Sequence, residues 1–162
     1  MLVYGLLILG IASRLFVHVP NFSPVIAIAL FSGMYVDKKY AVWLPVVLMA
    51  VTDMILGWHA TVLYTWGSIG LIAWFNFYLR DRKTTGNVVM SSLLSATLFY
   101  VFTNLGVWLT SGMYPMDARG LVDCYAMAVP FFRWSLVSTV VYALVLHKVV
   151  QMSLVKVQTV KI

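Results

Sequence analysis

Residues 61–83 read TVLYTWGSIGLIAWFNFYLRDRK. Nothing up to Leu79 carries a charge; Arg80, Asp81, Arg82 and Lys83 then follow without a gap. An apolar helix of roughly 20 residues matches the hydrocarbon thickness of a bilayer. A basic cluster directly behind it matches the cytoplasmic border of such a helix. The fold class that follows is an all-α integral membrane protein.

Working outward, charged and helix-breaking residues bound five further apolar runs. The run 40–56 ends at Gly57 and contains Pro45, which predicts a kink near its start. The run 24–36 opens on Ser23 as N-cap with Pro24 at the first helical position, and closes on Asp37, Lys38 and Lys39. The run 2–17 closes on His18, Pro20 and Asn21. Beyond the central run lie 87–110 and 131–150. About six transmembrane helices are therefore expected, at 2–17, 24–36, 40–56, 61–79, 87–110 and 131–150. The run 24–36 is short for a straight span, so it either crosses fully or is a half-length helix shielded by its neighbours. Residues 111–130 are expected as an outer loop, with a short interfacial helix about 117–129. Residues 151–162 are expected as an exposed cytoplasmic tail. The 162 residues make one transmembrane domain.

Composition agrees with this reading. Hydrophobic residues make up 62% of the chain, charged residues 10%, and the mean hydropathy is +0.94. A soluble domain carries roughly 25% charge, so the solvent of this chain is expected to be lipid. The N-terminus opens on an apolar run without a basic segment before it, and reads as the first span rather than a cleavable signal. The net charge is +6, but the bases sit between apolar runs instead of forming a patch with interleaved aromatics, so nucleic acid is excluded as a partner. The single cysteine, Cys124, excludes an intrachain disulfide, a CxxC redox pair and a Cys-rich metal site.

With six spans, Lys38, Lys39, Arg80, Arg82, Lys83, Lys148, Lys156 and Lys161 fall on one side and only Arg14, Arg119 and Arg133 on the other. That bias predicts both termini in the cytoplasm and a home in a bacterial inner membrane.

The opposite, outer side collects the unusual polar residues. Asn21, Asp53, Trp58, His59, Asn104, Trp108, Tyr125 and Arg133 are the candidate substrate-binding residues. An outward cup of aromatic and polar groups suits a small molecule. Asp53, an ionisable residue near the end of an apolar run, faces a cavity or pairs with Arg14 or Arg133. Arg14 either clamps an anionic group or snorkels to the interface. His18, His59 and Cys124 are the candidate metal ligands, but their spacing is irregular; hydrogen bonding for the histidines and apolar filling for the cysteine are the plainer roles. The tryptophans near run ends suit interface anchoring. Asn104 inside its run calls for an interhelical partner, and Ala29 with Gly33 forms a small-residue pair for close helix packing. No metalloprotease, nucleophile-elbow, phosphate-loop or dinucleotide motif is present, and no enzyme activity is expected.

Four blocks carry a family resemblance. They are His18 to Pro24 followed by Ala27 to Gly33; Thr52 to His59; Thr103 to Leu109 with Gly112 to Pro115; and Gly120-Leu121, Cys124-Tyr125 and Pro130 to Arg133. Together they resemble an uncharacterised bacterial family of small six-helix membrane proteins associated with transport. That family is similar to the S components of energy-coupling factor transporters. The resemblance implies a subunit that binds a vitamin or similar micronutrient from the outer side and works with a transmembrane coupling protein and ATPases. It departs from S components in lacking their AxxxA docking face in the first run, where Gly5, Gly10 and Ala12 are the nearest small residues. No cofactor is expected; a corrinoid is conceivable as substrate, because Cys or His coordinates cobalt. The competing expectations are an accessory subunit of a larger membrane assembly and a metal- or cofactor-binding membrane protein.

Overall fold

The computed structural model describes residues 2–16 and 21–159, with side chains for 4–16 and 21–152. Among these residues the regular structure is all helical, without strands. Helix α1 spans Leu2–Phe16, α2 Val25–Tyr35, α3 Lys38–Ala41, α4 Trp43–Leu56, α5 Val62–Phe77, α6 Thr85–Thr110 and α7 Ala118–Thr159. Three segments are long and apolar enough to cross a membrane: Lys38–Leu56, which joins α3 and α4, Thr85–Thr110 and Ala118–Met152. With the shorter apolar helices α1, α2 and α5 they make a bundle of six helical segments.

Helix α2 is the hub. Every residue from Val25 to Met34 is buried, and α4, α5, α6 and α7 all pack on it. By helical rise its 11 residues span about 16 Å, roughly half a hydrocarbon core. Its neighbours shield it over that length, and it still links the two ends of the bundle. Gly33, one turn from Ala29, lets α2 reach the α5 backbone: a Cβ there would collide with the Ala73 carbonyl oxygen. The small-residue pair is thus used inside the bundle. Around the hub α1, α4, α5, α6 and α7 follow one another, and α1 and α7 make no close backbone approach among the described residues.

Both prolines near the start of a helix act as their chemistry requires. Pro24 takes helical angles (φ −75°, ψ −2°), its carbonyl accepts from Ile28 N at 2.7 Å, and Ser23 Oγ accepts from Val25 N at 3.4 Å. Pro45 has no N–H for the carbonyl four residues back, that of Ala41. The helix breaks at Val42, and the buried Ser32 hydroxyl donates to that carbonyl at 2.6 Å.

At one end, the α2–α3 and α5–α6 connections lie side by side. Arg80 donates to Val36 O at 2.6 Å and its guanidinium lies 4.4 Å from the Phe77 ring centre. Lys83 sits 4.7 Å over Tyr35, whose hydroxyl meets His147 Nδ1 at 2.6 Å. A cation at the C-terminus of α2 opposes the negative end of its dipole. We call this the Arg80 end, and the other the Asn21 end.

The main departure from expectation is α7. The segment 111–130 is not a loop throughout: only 111–117 connects, and one helix of 42 residues runs from Ala118 past Pro130 to Thr159. Asp117 caps it, accepting from Gly120 N through Oδ1 at 2.7 Å and from Leu121 N through its carbonyl at 3.0 Å. Pro130 removes one backbone donor without ending the helix, and next to the acceptor it deprives, the Tyr125 carbonyl takes the Tyr100 hydroxyl at 2.6 Å. The expected tail likewise continues as helix to Thr159.

Candidate functional site

The Asn21 end is built around Asp53, on the last turn of α4. Its residue is 1% exposed. Arg14, on the last turn of α1, meets Oδ1 at 2.5 Å, and Trp66 of α5 donates its indole N–H to Oδ2 at 2.7 Å. A second Arg14 nitrogen donates to the Met49 sulfur. Of the two expected arginine partners for Asp53, the structure selects Arg14. A buried carboxylate is tolerable only when paired and hydrogen-bonded, and here both oxygens are engaged.

Gly57 turns the chain after Asp53. Its N–H closes α4 on the Asp53 carbonyl at 2.9 Å, while its φ of 105° takes a conformation that side-chain-bearing residues avoid. The chain then doubles back. His59 Nδ1 pairs with Thr61 Oγ1 at 2.9 Å, and Nε2 comes to 3.8 Å from Asp53 Oδ2, beyond hydrogen-bond reach.

Beside this cluster opens a cavity of about 320 Å³. Arg14, Asn21, Phe22, Met49, His59 and Ser135 are among its walls. A second cavity of about 200 Å³ adjoins it, sharing Asn21, Phe99 and Ser135 and continuing to Tyr100, Asn104 and Phe132. The larger volume lies within the range of small-molecule sites.

The candidate residues are only partly brought together. Asn21 and His59 line the larger cavity, Asn104 lines the smaller, and Asp53 stands behind Arg14. Trp58 is 66% exposed and packs on Trp66 at 5.8 Å, lining neither. Trp108 ties the 111–117 connection by donating to Pro115 O at 2.9 Å. Tyr125 donates to Val101 O at 2.6 Å and borders an outer groove between α6 and α7. Arg133 is exposed, 5.7 Å from the Trp134 ring centre, and lines neither cavity. Of the candidate metal ligands, Cys124 is buried with its thiol 3.5 Å from Asn104 O, His59 is at the Asp53 cluster, and His18 lies outside the described residues. Among the described residues no three His, Cys, Asp or Glu side chains converge.

Sequence reasoning missed Trp66 as a ligand of Asp53, and Phe22, Phe99 and Ser135 as walls. Signals existed for two of them. A buried indole N–H needs an acceptor, and Asp53 is the carboxylate of the adjoining run. Ser135, Ser138 and Thr139 recur at helical spacing and are all buried, a small polar stripe that marks a packed or cavity-facing side of α7.

Residues 1–160 match a protein family described as "Family of unknown function (DUF6580)". The chain belongs to this family. No curated protein and no solved structure matches it. For the DUF6580 family the match covers the whole bundle, from α1 to the end of α7, so the Arg14–Asp53 cluster and both cavities fall within the matched residues.

Proposed function

We propose that this chain is a membrane-embedded substrate-binding subunit for uptake of a small molecule, with six crossings, both termini in the cytoplasm and the bacterial inner membrane as its home. The observation that carries the reading is the cavity of about 320 Å³ lined by Arg14, with the buried Asp53 paired to it from behind. An apolar bundle gains no packing from burying an ion pair in lipid, and such groups in membrane helices ordinarily mark a ligand or ion path. Three segments long enough to span support membrane residence. The cavity opens at the end away from Lys38, Lys39, Arg80, Arg82 and Lys83, which supports an outward-facing site.

The resemblance to S components of energy-coupling factor transporters supports the same reading. It makes a transmembrane coupling protein with ATPases the partner, and a vitamin or other micronutrient the solute class. The test is electron cryomicroscopy of the protein taken from its own membranes into lipid nanodiscs. Density for a small molecule between Arg14 and Ser135 is the expected result. A cavity filled by its own side chains, with the chain recovered only inside a larger protein particle, moves the assignment to an accessory subunit.

A further inference from the structure

The charge balance of the cavity deepens the reading above, on which it rests, to a class of ligand. Arg14 is the one permanently charged side chain among the described walls of the larger cavity, and Asp53 already meets it at 2.5 Å. Asp53 is itself used up: Arg14 holds one oxygen and Trp66 the other, at 2.7 Å. The walls of the smaller cavity carry no charge. The remaining nearby cation, Arg133, lines neither lobe. An ion moved from water into a site of low dielectric must find a counter-charge there or lose several kcal/mol of hydration uncompensated. Among the described residues no further permanently charged side chain lines either lobe, for an anion or for an amine.

What the walls offer besides Arg14 is hydrogen-bonding and aromatic surface. Asn21, Ser135 and His59 supply hydrogen-bonding groups in the larger lobe. Asn104 spends its amide nitrogen on Tyr100 O at 2.7 Å, which leaves its Oδ1 as an acceptor beside the smaller lobe. Phe22, Phe99 and Phe132 supply aromatic surface.

We infer that the cavity takes an uncharged molecule with a flat, ring-bearing body and hydroxyl, carbonyl or amide groups, and rejects carboxylates, phosphates and amines. The body lies in the larger lobe, a narrower arm reaches past Phe99 toward Phe132, and the Arg14–Asp53 pair acts as a dipolar wall instead of a free cation.

The test compares wild-type protein with Ser135→Trp, which plugs the junction of the lobes, and with Asp53→Asn, which frees the Arg14 charge. Small molecules released by heat from protein extracted from its own membranes are passed over anion and cation exchangers at pH 7. A species present with wild type, absent with Ser135→Trp and unretained by both exchangers is expected; retention on either overturns the inference. In parallel, sodium acetate replaces chloride at constant ionic strength during thermal unfolding. No rise in Tm is expected for wild type, and a rise for Asp53→Asn. A rise in wild type that Ser135→Trp abolishes overturns the inference, and this comparison decides without the Asp53→Asn protein should that variant not fold. A wild-type preparation that releases nothing counts against the solute-binding reading, and the charge class then stands or falls on the acetate comparison.

Discussion

Arg14 and Asp53 lie 39 residues apart in sequence and meet at 2.5 Å across the packed ends of α1 and α4. Their contact ties two helices together at the Asn21 end of the bundle, and Arg14 forms part of the cavity wall there.

Breaking the pair from one side leaves an uncompensated charge. Asp53→Asn is expected to cost about 3 kcal/mol, since removal of one partner of a buried pair typically costs 3–5. Replacing both, as Arg14→Met with Asp53→Asn, is expected to recover part of that loss. Thermal unfolding in detergent measures Asp53→Asn, Arg14→Met and the double variant. Strict additivity of the two single changes would mean that the residues are not coupled.

A second coupling joins Ser32 to Pro45, through the Ala41 carbonyl that the proline cannot serve. Ser32→Ala strands that buried acceptor and is expected to cost about 1–3 kcal/mol. In a Pro45→Ala background the helix supplies its own N–H, and the same change is expected to cost clearly less. A double-mutant cycle by thermal unfolding reads the difference; an equal cost in both backgrounds would count against the assigned role of Ser32.

The closeness of α2 and α5 depends on the missing side chain at Gly33. A Cβ there meets the Ala73 carbonyl oxygen, Asn76 Cβ and Phe77 N. Gly33→Ala is expected to lower stability by about 1–3 kcal/mol through overpacking. Gly67→Ala, also in a helix but with nothing within 4 Å of the added carbon, is expected to raise it by about 0.5–1 kcal/mol. Equal effects at both sites would contradict the packing described.

Much of the bundle was legible because charges and breakers sit at helix ends. Asp37, Lys38 and Lys39 mark the end of α2, Arg80 to Lys83 the end of α5, and Gly57 the end of α4. Pro130 misled, because a proline deprives only one carbonyl and an intact helix can run on past it. Asp117, with its carboxylate on Gly120 N, was the start signal that outweighed it. At the site, Asp53 was legible as an ion in an apolar run, but the choice between Arg14 and Arg133 was not. Both arginines lie toward the same end of the bundle, and only the packing of α1 on α4 brings one of them to the carboxylate. Trp58 and Arg133 share the chemistry of site residues and the right depth, yet they sit on outward faces. Helical depth can be read from a single sequence more readily than helical rotation.

The most direct test of the central claim, that the cavity beside Arg14 and Ser135 holds a small solute, is native mass spectrometry. Wild-type protein and Ser135→Trp, each extracted from its own membranes in mild detergent, are compared as monomers. A small mass adduct on wild type that is missing from Ser135→Trp is the predicted result. An adduct carried equally by both proteins, or by neither, would contradict it.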